Sequence, residues 1–118
     1  MYYYPYTYQP YPYAPLYRFQ SLPTVRPNQF KNSAQTMKRL LKDAESMTEA
    51  IHSSNELASS IMQAAQKSDI VRVRRLLQVY IRNSNFNLHF NPDGLIVTLV
   101  DLSKKCCQLQ LSFLWGEL

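Results

Sequence analysis

The stretch NFNLHFNPDGLIVTLVD, residues 85–101, decides the fold. Phe86, Leu88 and Phe90 alternate with Asn85, Asn87 and His89, the period of two expected of a strand with one buried face. Asn91-Pro92-Asp93-Gly94 follows. Pro92 suits the second position of a type I turn, and Gly94 can take the left-handed conformation that closes a bulged hairpin. On the way back, Leu95, Val97 and Leu99 occupy one face, and Ile96 and Val100 the other. A strand apolar on both faces belongs in the middle of a sheet or under helices. Leu102-Ser103-Lys104-Lys105 turns the chain again. Cys107, Leu109, Leu111, Phe113 and Trp115 then alternate with Cys106, Gln108, Gln110 and Ser112. The expectation is an α+β fold: a three-stranded antiparallel meander with its second strand central, its apolar face covered by two or three preceding helices.

Upstream, the period is helical. Phe30, Ala34, Met37, Leu41, Ala44, Met47 and Ile51 recur at spacings of three and four, giving one apolar stripe from Asn28 to about Ile51. Asn28 is the expected cap. Lys31, Lys38, Lys42, Glu45 and Glu49 fill the opposite face. Such a seam can serve self-association, but packing on the domain core is the simpler use. His52-Ser53-Ser54-Asn55 interrupts the stripe, and Ser53 with Glu56 has the spacing of a capping box for a second helix ending near Gln66. Ser68 or Asp69 caps a third, with Val73, Leu76, Leu77, Tyr80 and Ile81 inward. Arg72, Arg74, Arg75 and Arg82 decorate it as a solvated face, without the groove-entering helix or stacking platform that a nucleic-acid reading needs.

The first 27 residues are of another kind. Eight of the nine tyrosines fall within the first seventeen residues and six of the seven prolines within the first 27. Proline at this density removes helical donors and fixes φ, so the segment is expected to be a disordered, polyproline-II-like tail, residues 1–27, attached to a domain of residues 28–118. Leu16, Phe19, Leu22 and Val25 are the residues of this segment best suited to touch the domain. The net charge of +5 is also uneven. Residues 1–42 carry Arg18, Arg26, Lys31, Lys38, Arg39 and Lys42 and no acid, whereas the remainder is nearly balanced; six dispersed charges make a weak footprint for an anionic partner. The N-terminus has neither a basic n-region nor an apolar h-region, and no run approaches the ~20 apolar residues needed to span a bilayer, so synthesis in the cytosol without membrane insertion is expected.

Catalysis has little to stand on. Cys106 and Cys107 coexist with His52 and His89, but glycine occurs only at 94 and 116, with no nucleophile elbow or oxyanion-hole motif nearby. Neighbouring residues of an extended strand point to opposite faces, so the two cysteines are not expected to bond to each other. Cys107 shares the apolar face; Cys106 shares the glutamine face and is the candidate for intermolecular bonding. The cysteines and histidines lack zinc-site spacing, and no paired-carboxylate, phosphate-loop or dinucleotide signature occurs. No catalytic residue, metal or cofactor is expected, and the chain reads as a non-enzyme.

The tail retains chemistry. Phenols couple between chains after one-electron oxidation, and uncoupled rings stack on rings or guanidinium groups for about 0.5–1.5 kcal/mol each. Tyr2, Tyr3, Tyr4, Tyr6, Tyr8, Tyr11, Tyr13 and Tyr17, with Cys106, are therefore the cross-linking or interaction candidates, the rings acting together through avidity. The order MYYYPYTYQPYPY, AAQKSD (64–69), NPDGLIVTL (91–99) and CCQLQLSFLWG (106–116) resembles the small YuzC-like proteins of spore-forming bacilli. That family typically has Gly where Ser68 stands. The resemblance implies synthesis in the mother cell, deposition in the layered endospore coat with other coat proteins or with itself as partners, and no established activity. Two readings of other classes stand beside a structural coat protein: an adaptor whose domain binds one protein partner, and a weak nucleic-acid binder.

Overall fold

The computed structural model describes residues 24–102 and 106–116. Three helices precede three strands: α1 (Asn28–Ser53), α2 (Asn55–Gln66), α3 (Ile70–Gln78), β1 (Ser84–Asn91), β2 (Gly94–Asp101) and β3 (Gln108–Leu114). The sheet is antiparallel in the order β1-β2-β3, the α+β meander expected from the sequence. Residues 1–23, which hold all the tail tyrosines, lie outside the described residues; only residues 24–27 of the expected tail are described.

The register aligns the apolar rows. Phe86 pairs with Leu99, Leu88 with Val97 and Phe90 with Leu95; across the other ladder Leu109, Leu111 and Phe113 meet the same three β2 residues. These rows form the face turned to the helices, and Leu95, Val97 and Leu99 are almost completely buried. The second face of β2 is only half-buried. Ile96, Thr98 and Val100 are flanked by His89, Asn87 and Asn85 on one side and by Ser112, Gln110 and Gln108 on the other. Polar neighbours shield this row, in place of the covering layer that its apolar residues suggested.

The hairpin is tighter than a bulged one. Asn91 pairs with Gly94, leaving a two-residue connection of Pro92 and Asp93, and Gly94 does not have a positive φ. Its missing side chain is required for another reason: a Cβ there would overlap the Phe113 carbonyl oxygen of β3. Asn91 Oδ1 accepts from the Asp93 and Gly94 amides at 2.8 and 3.1 Å, an Asx turn that supplies what a left-handed residue would otherwise provide.

The helix boundaries differ from the expected ones by single residues. Pro27, in a helical conformation, precedes α1, and its carbonyl accepts from the Lys31 amide; Asn28 is thus the first helical residue and not the cap. At the next junction Ser54 is extended and its Oγ accepts from the Leu57 amide at 3.1 Å, so Ser54 replaces Ser53 as cap and the Ser53–Glu56 box does not form. Helix α1 runs two residues past Ile51, to Ser53. Asp69 caps α3 by accepting from the Arg72 amide at 3.1 Å. Between α2 and α3, the Asp69 amide donates to Ala64 O and the Ser68 amide to Ala65 O. This is a Schellman ending, and Ser68 takes the left-handed position usually held by glycine, with φ 57°.

The stripe on α1 is rotated from the expected one. Leu40, Ala44 and Met47 are buried, with Met37 and Ile51 packed on the core, while Phe30 and Leu41 are exposed. Ala34 is exposed too. Leu40 and Leu41 fit the three-four spacing equally well, and the face is chosen by Asp43, which lies on the Leu40 side and is drawn inward. In α3, Val73 and Leu77 are buried, Ile81 follows them into the core just past the helix, and Leu76 and Tyr80 pack around its rim. Val25 is 86% exposed and does not touch the domain.

Candidate interaction sites

At one end of the sheet lies a buried polar cluster. Asp43, 2% exposed, accepts from the backbone amides of Arg82 and Asn83 at 3.3 and 2.9 Å, from Asn83 Nδ2 at 3.1 Å, and from Ser84 Oγ. A carboxylate has about four acceptor positions, and here four donors meet them. The cluster fastens the middle of α1 to the start of β1. Its chemistry is fully used in holding the fold together.

Beside it are the cysteines, where the structure corrects the sequence reading. Cys106 and Cys107 form a disulfide with each other, their Cα atoms 3.7 Å apart. The argument from opposite faces fails because β3 begins only at Gln108; the pair lies in irregular chain before the pleat starts. Cys107 is buried as expected, and Cys106 is half-buried against the core instead of standing free on the glutamine face. Cys107 Sγ lies 3.3 Å from the Ser33 carbonyl oxygen. A disulfide sulfur has no proton, so this is a packing contact that turns into a hydrogen bond only when the thiol is regenerated.

The arginines of α3 do not form a common patch. Arg74 Nη2 donates to the Phe86 carbonyl at 2.8 Å, and its guanidinium stands 4.4 Å from the centre of the Phe86 ring. Arg82 Nε donates to Val79 O at 3.2 Å. Two of the four guanidiniums are therefore committed within the domain, against the purely solvated face expected. His52 and His89 are exposed and belong to no group of three metal-ligating side chains among the described residues. No helix among those residues is long and apolar enough to cross a membrane.

At the opposite end of the sheet a cleft of about 660 Å³ opens between the last turns of α2 and the β1–β2 turn. Met62, Ala65, Phe90, Pro92 and Trp115 supply its apolar walls, with Gln66 and Asn91 among its polar groups. Trp115 holds the turn twice. Its backbone amide donates to Asp93 O at 3.1 Å and its indole Nε1 to Pro92 O at 3.2 Å, while its ring lies tilted 6.5 Å from that of Phe90. The sequence pattern places Trp115 on the inward face; the structure leaves it half-buried at the mouth of the cleft. Only the meeting of α2, the turn and the end of β3 makes this site, and no local motif marks it.

The described residues define a small α+β module, three helices covering one face of a three-stranded antiparallel meander. The chain matches the YuzC spore coat inner layer protein family over residues 27–110, and it belongs to that family. It is 30% identical over 88 residues to the uncharacterized protein YuzC of Bacillus subtilis (strain 168), covering 75% of this chain and 70% of that protein. No solved structure matches. The family match begins where the Tyr/Pro segment ends and stops within β3, before Trp115.

Proposed function

We propose that this chain is a non-enzymatic structural component of the inner layer of the endospore coat, made in the mother cell and incorporated through its tyrosine-rich tail. The observation that carries the reading is the family match over residues 27–110, with the tail lying outside it. The domain supplies the family character. The tail, with Tyr2, Tyr3, Tyr4, Tyr6, Tyr8, Tyr11, Tyr13 and Tyr17, supplies adhesion to other coat proteins or to further copies. Stacking of these rings is reversible and multivalent. Where a peroxide-driven one-electron oxidant acts, two phenols each lose one electron and one proton, and the resulting radicals join through a ring carbon–carbon bond. Cys106 adds a second route. A thiolate from another chain that attacks Cys106 Sγ forms a mixed disulfide and releases Cys107 as the thiolate, with no external oxidant.

A fluorescent fusion followed through sporulation, with and without residues 1–17, tests the reading. The intact fusion is expected to collect around the forespore and remain with the purified coat, and the truncated one to stay dispersed in the mother cell. Equal retention of both in the coat removes the tail from the account. Recovery of the chain only in a stoichiometric soluble complex points to the adaptor reading instead.

A further inference from the structure

We propose that Cys106 and Cys107 form a redox switch: as a disulfide they hold Cys106 against the core, and as thiols they join β3 and present Cys106 on the outer face of the sheet. Its use in assembly rests on the intermolecular role given to Cys106 above; the switch sets when that thiol is offered. The β2–β3 ladder pairs Leu99 with Leu109 and Val100 with Gln108, so the next pair in register is Asp101 with Cys107. One bond of that pair is already made, since the Asp101 amide donates to Cys107 O at a long 3.4 Å. Cys107 is also buried on the inward side, as its place two residues before Leu109 requires. The strand nevertheless starts only at Gln108. The bond between the cysteines accounts for this. In a pleated strand successive side chains point to opposite faces, which sets neighbouring sulfurs too far apart to bond. Pleat and disulfide are therefore alternatives at residues 106 and 107. With the disulfide closed, Cys106 is half-buried and packs against the core.

Opening the pair needs a monothiol reductant. Two monothiol molecules supply two electrons and two protons, the bond between the sulfurs breaks, Cys106 and Cys107 each gain a hydrogen, and the monothiols leave joined as one disulfide. The ladder then continues in register through Cys107 to Cys106 opposite Leu102. Cys107 keeps its inward place, where its thiol donates to the Ser33 carbonyl 3.3 Å away. Cys106 takes the outer position in line with Gln108 and Gln110, both exposed, and comes beside the exposed Leu102 side chain. Thiols of a cytosolic chain are kept reduced, so the open form comes first on the reading proposed above. In that form the Cys106 thiolate attacks a disulfide of another chain, bonds to one of its sulfurs and releases the other as a thiolate. Exchange with a small-molecule disulfide closes the pair again and withdraws a Cys106 that has met no partner.

Nuclear magnetic resonance of the full chain in both redox states tests the switch. A cross-strand Hα–Hα contact between Leu102 and Cys106, which as a non-hydrogen-bonded pair stand about 4.5 Å apart at Cα, is expected in the reduced form and absent from the oxidised one. Iodoacetamide should modify Cys106 of the folded, reduced chain at least tenfold faster than Cys107, as read by peptide mass spectrometry. Cys107→Ala cannot close and keeps a small apolar side chain inward, so it should show the Leu102–Cys106 contact without reductant. A reduced native chain that lacks this contact overturns the proposal whether or not the variant folds, and so does equal alkylation of the two thiols. If the contact appears on reduction while Cys106→Ser is retained in the purified coat like the native chain, the switch stands and the Cys106 route to assembly falls.

Discussion

At the Ser84–Asp101 end of the sheet the chain closes on itself through buried polar groups, while at the Pro92–Trp115 end it leaves aromatic surface around an open cleft. The same three strands thus end in two different environments. In the first, Asp43 is saturated by donors from the residues leading into β1, and nothing is left over for a ligand. In the second, Trp115 satisfies its indole by donating to Pro92 O and still leaves part of its surface exposed. A buried polar group demands complete pairing, whereas an aromatic ring can be anchored at its polar edge and keep its face available. One end is closed by paired polar groups, and the other leaves aromatic surface at an open cleft.

The sharpest way to break that division is Asp43→Ala. It strands the Ser84 hydroxyl in a buried setting, at about 1–3 kcal/mol, and leaves the Arg82 and Asn83 amides unpaired in partly buried ones at a lower cost. A loss of about 3 kcal/mol is expected in urea denaturation, a large share of the roughly 5–15 kcal/mol that keeps a domain folded. A loss under about 1 kcal/mol would mean that the closed end is not where the fold is secured. Gly94→Ala probes the open end. The new methyl meets the Phe113 carbonyl across the ladder, and overpacking of this kind costs about 1–3 kcal/mol. The melting temperature should fall and Trp115 emission should change with it, since the strand that moves carries Trp115. Ser68→Gly gives the smallest effect and the opposite sign. Relief of the left-handed penalty at φ 57° should stabilise by about 0.5–1 kcal/mol in the same denaturation experiment.

Much of this was legible in the sequence where the determinants were local. The alternation from Phe86 to Val100 depends on strand geometry alone, and it marked the strand order and the inward face; the register did not follow, because the hairpin closes on two residues and not on a bulge. Asp69 as a cap was legible for the same reason. Leu40 and Leu41 were not separable, because the choice between them is made by bonds from Asp43 to residues about forty positions away. The cysteine pair misled because strand periodicity was extended two residues past the start of β3, into chain where it does not hold. The cleft could not be seen because its walls come from three separate segments, each of which accounts for its own residues by local packing.

The order of the strands also bears on how the domain reaches this structure. Each strand of the meander pairs with its neighbour in sequence, so both ladders can form by closing short loops. The bond from Asp43 to Ser84 closes a separation of 41 residues, so docking α1 across the sheet carries a larger loop-closure cost than either ladder. Until α1 arrives, the row of Leu95, Val97 and Leu99 lacks part of its cover. Full cover of that row therefore depends on the long closure that brings α1 to β1.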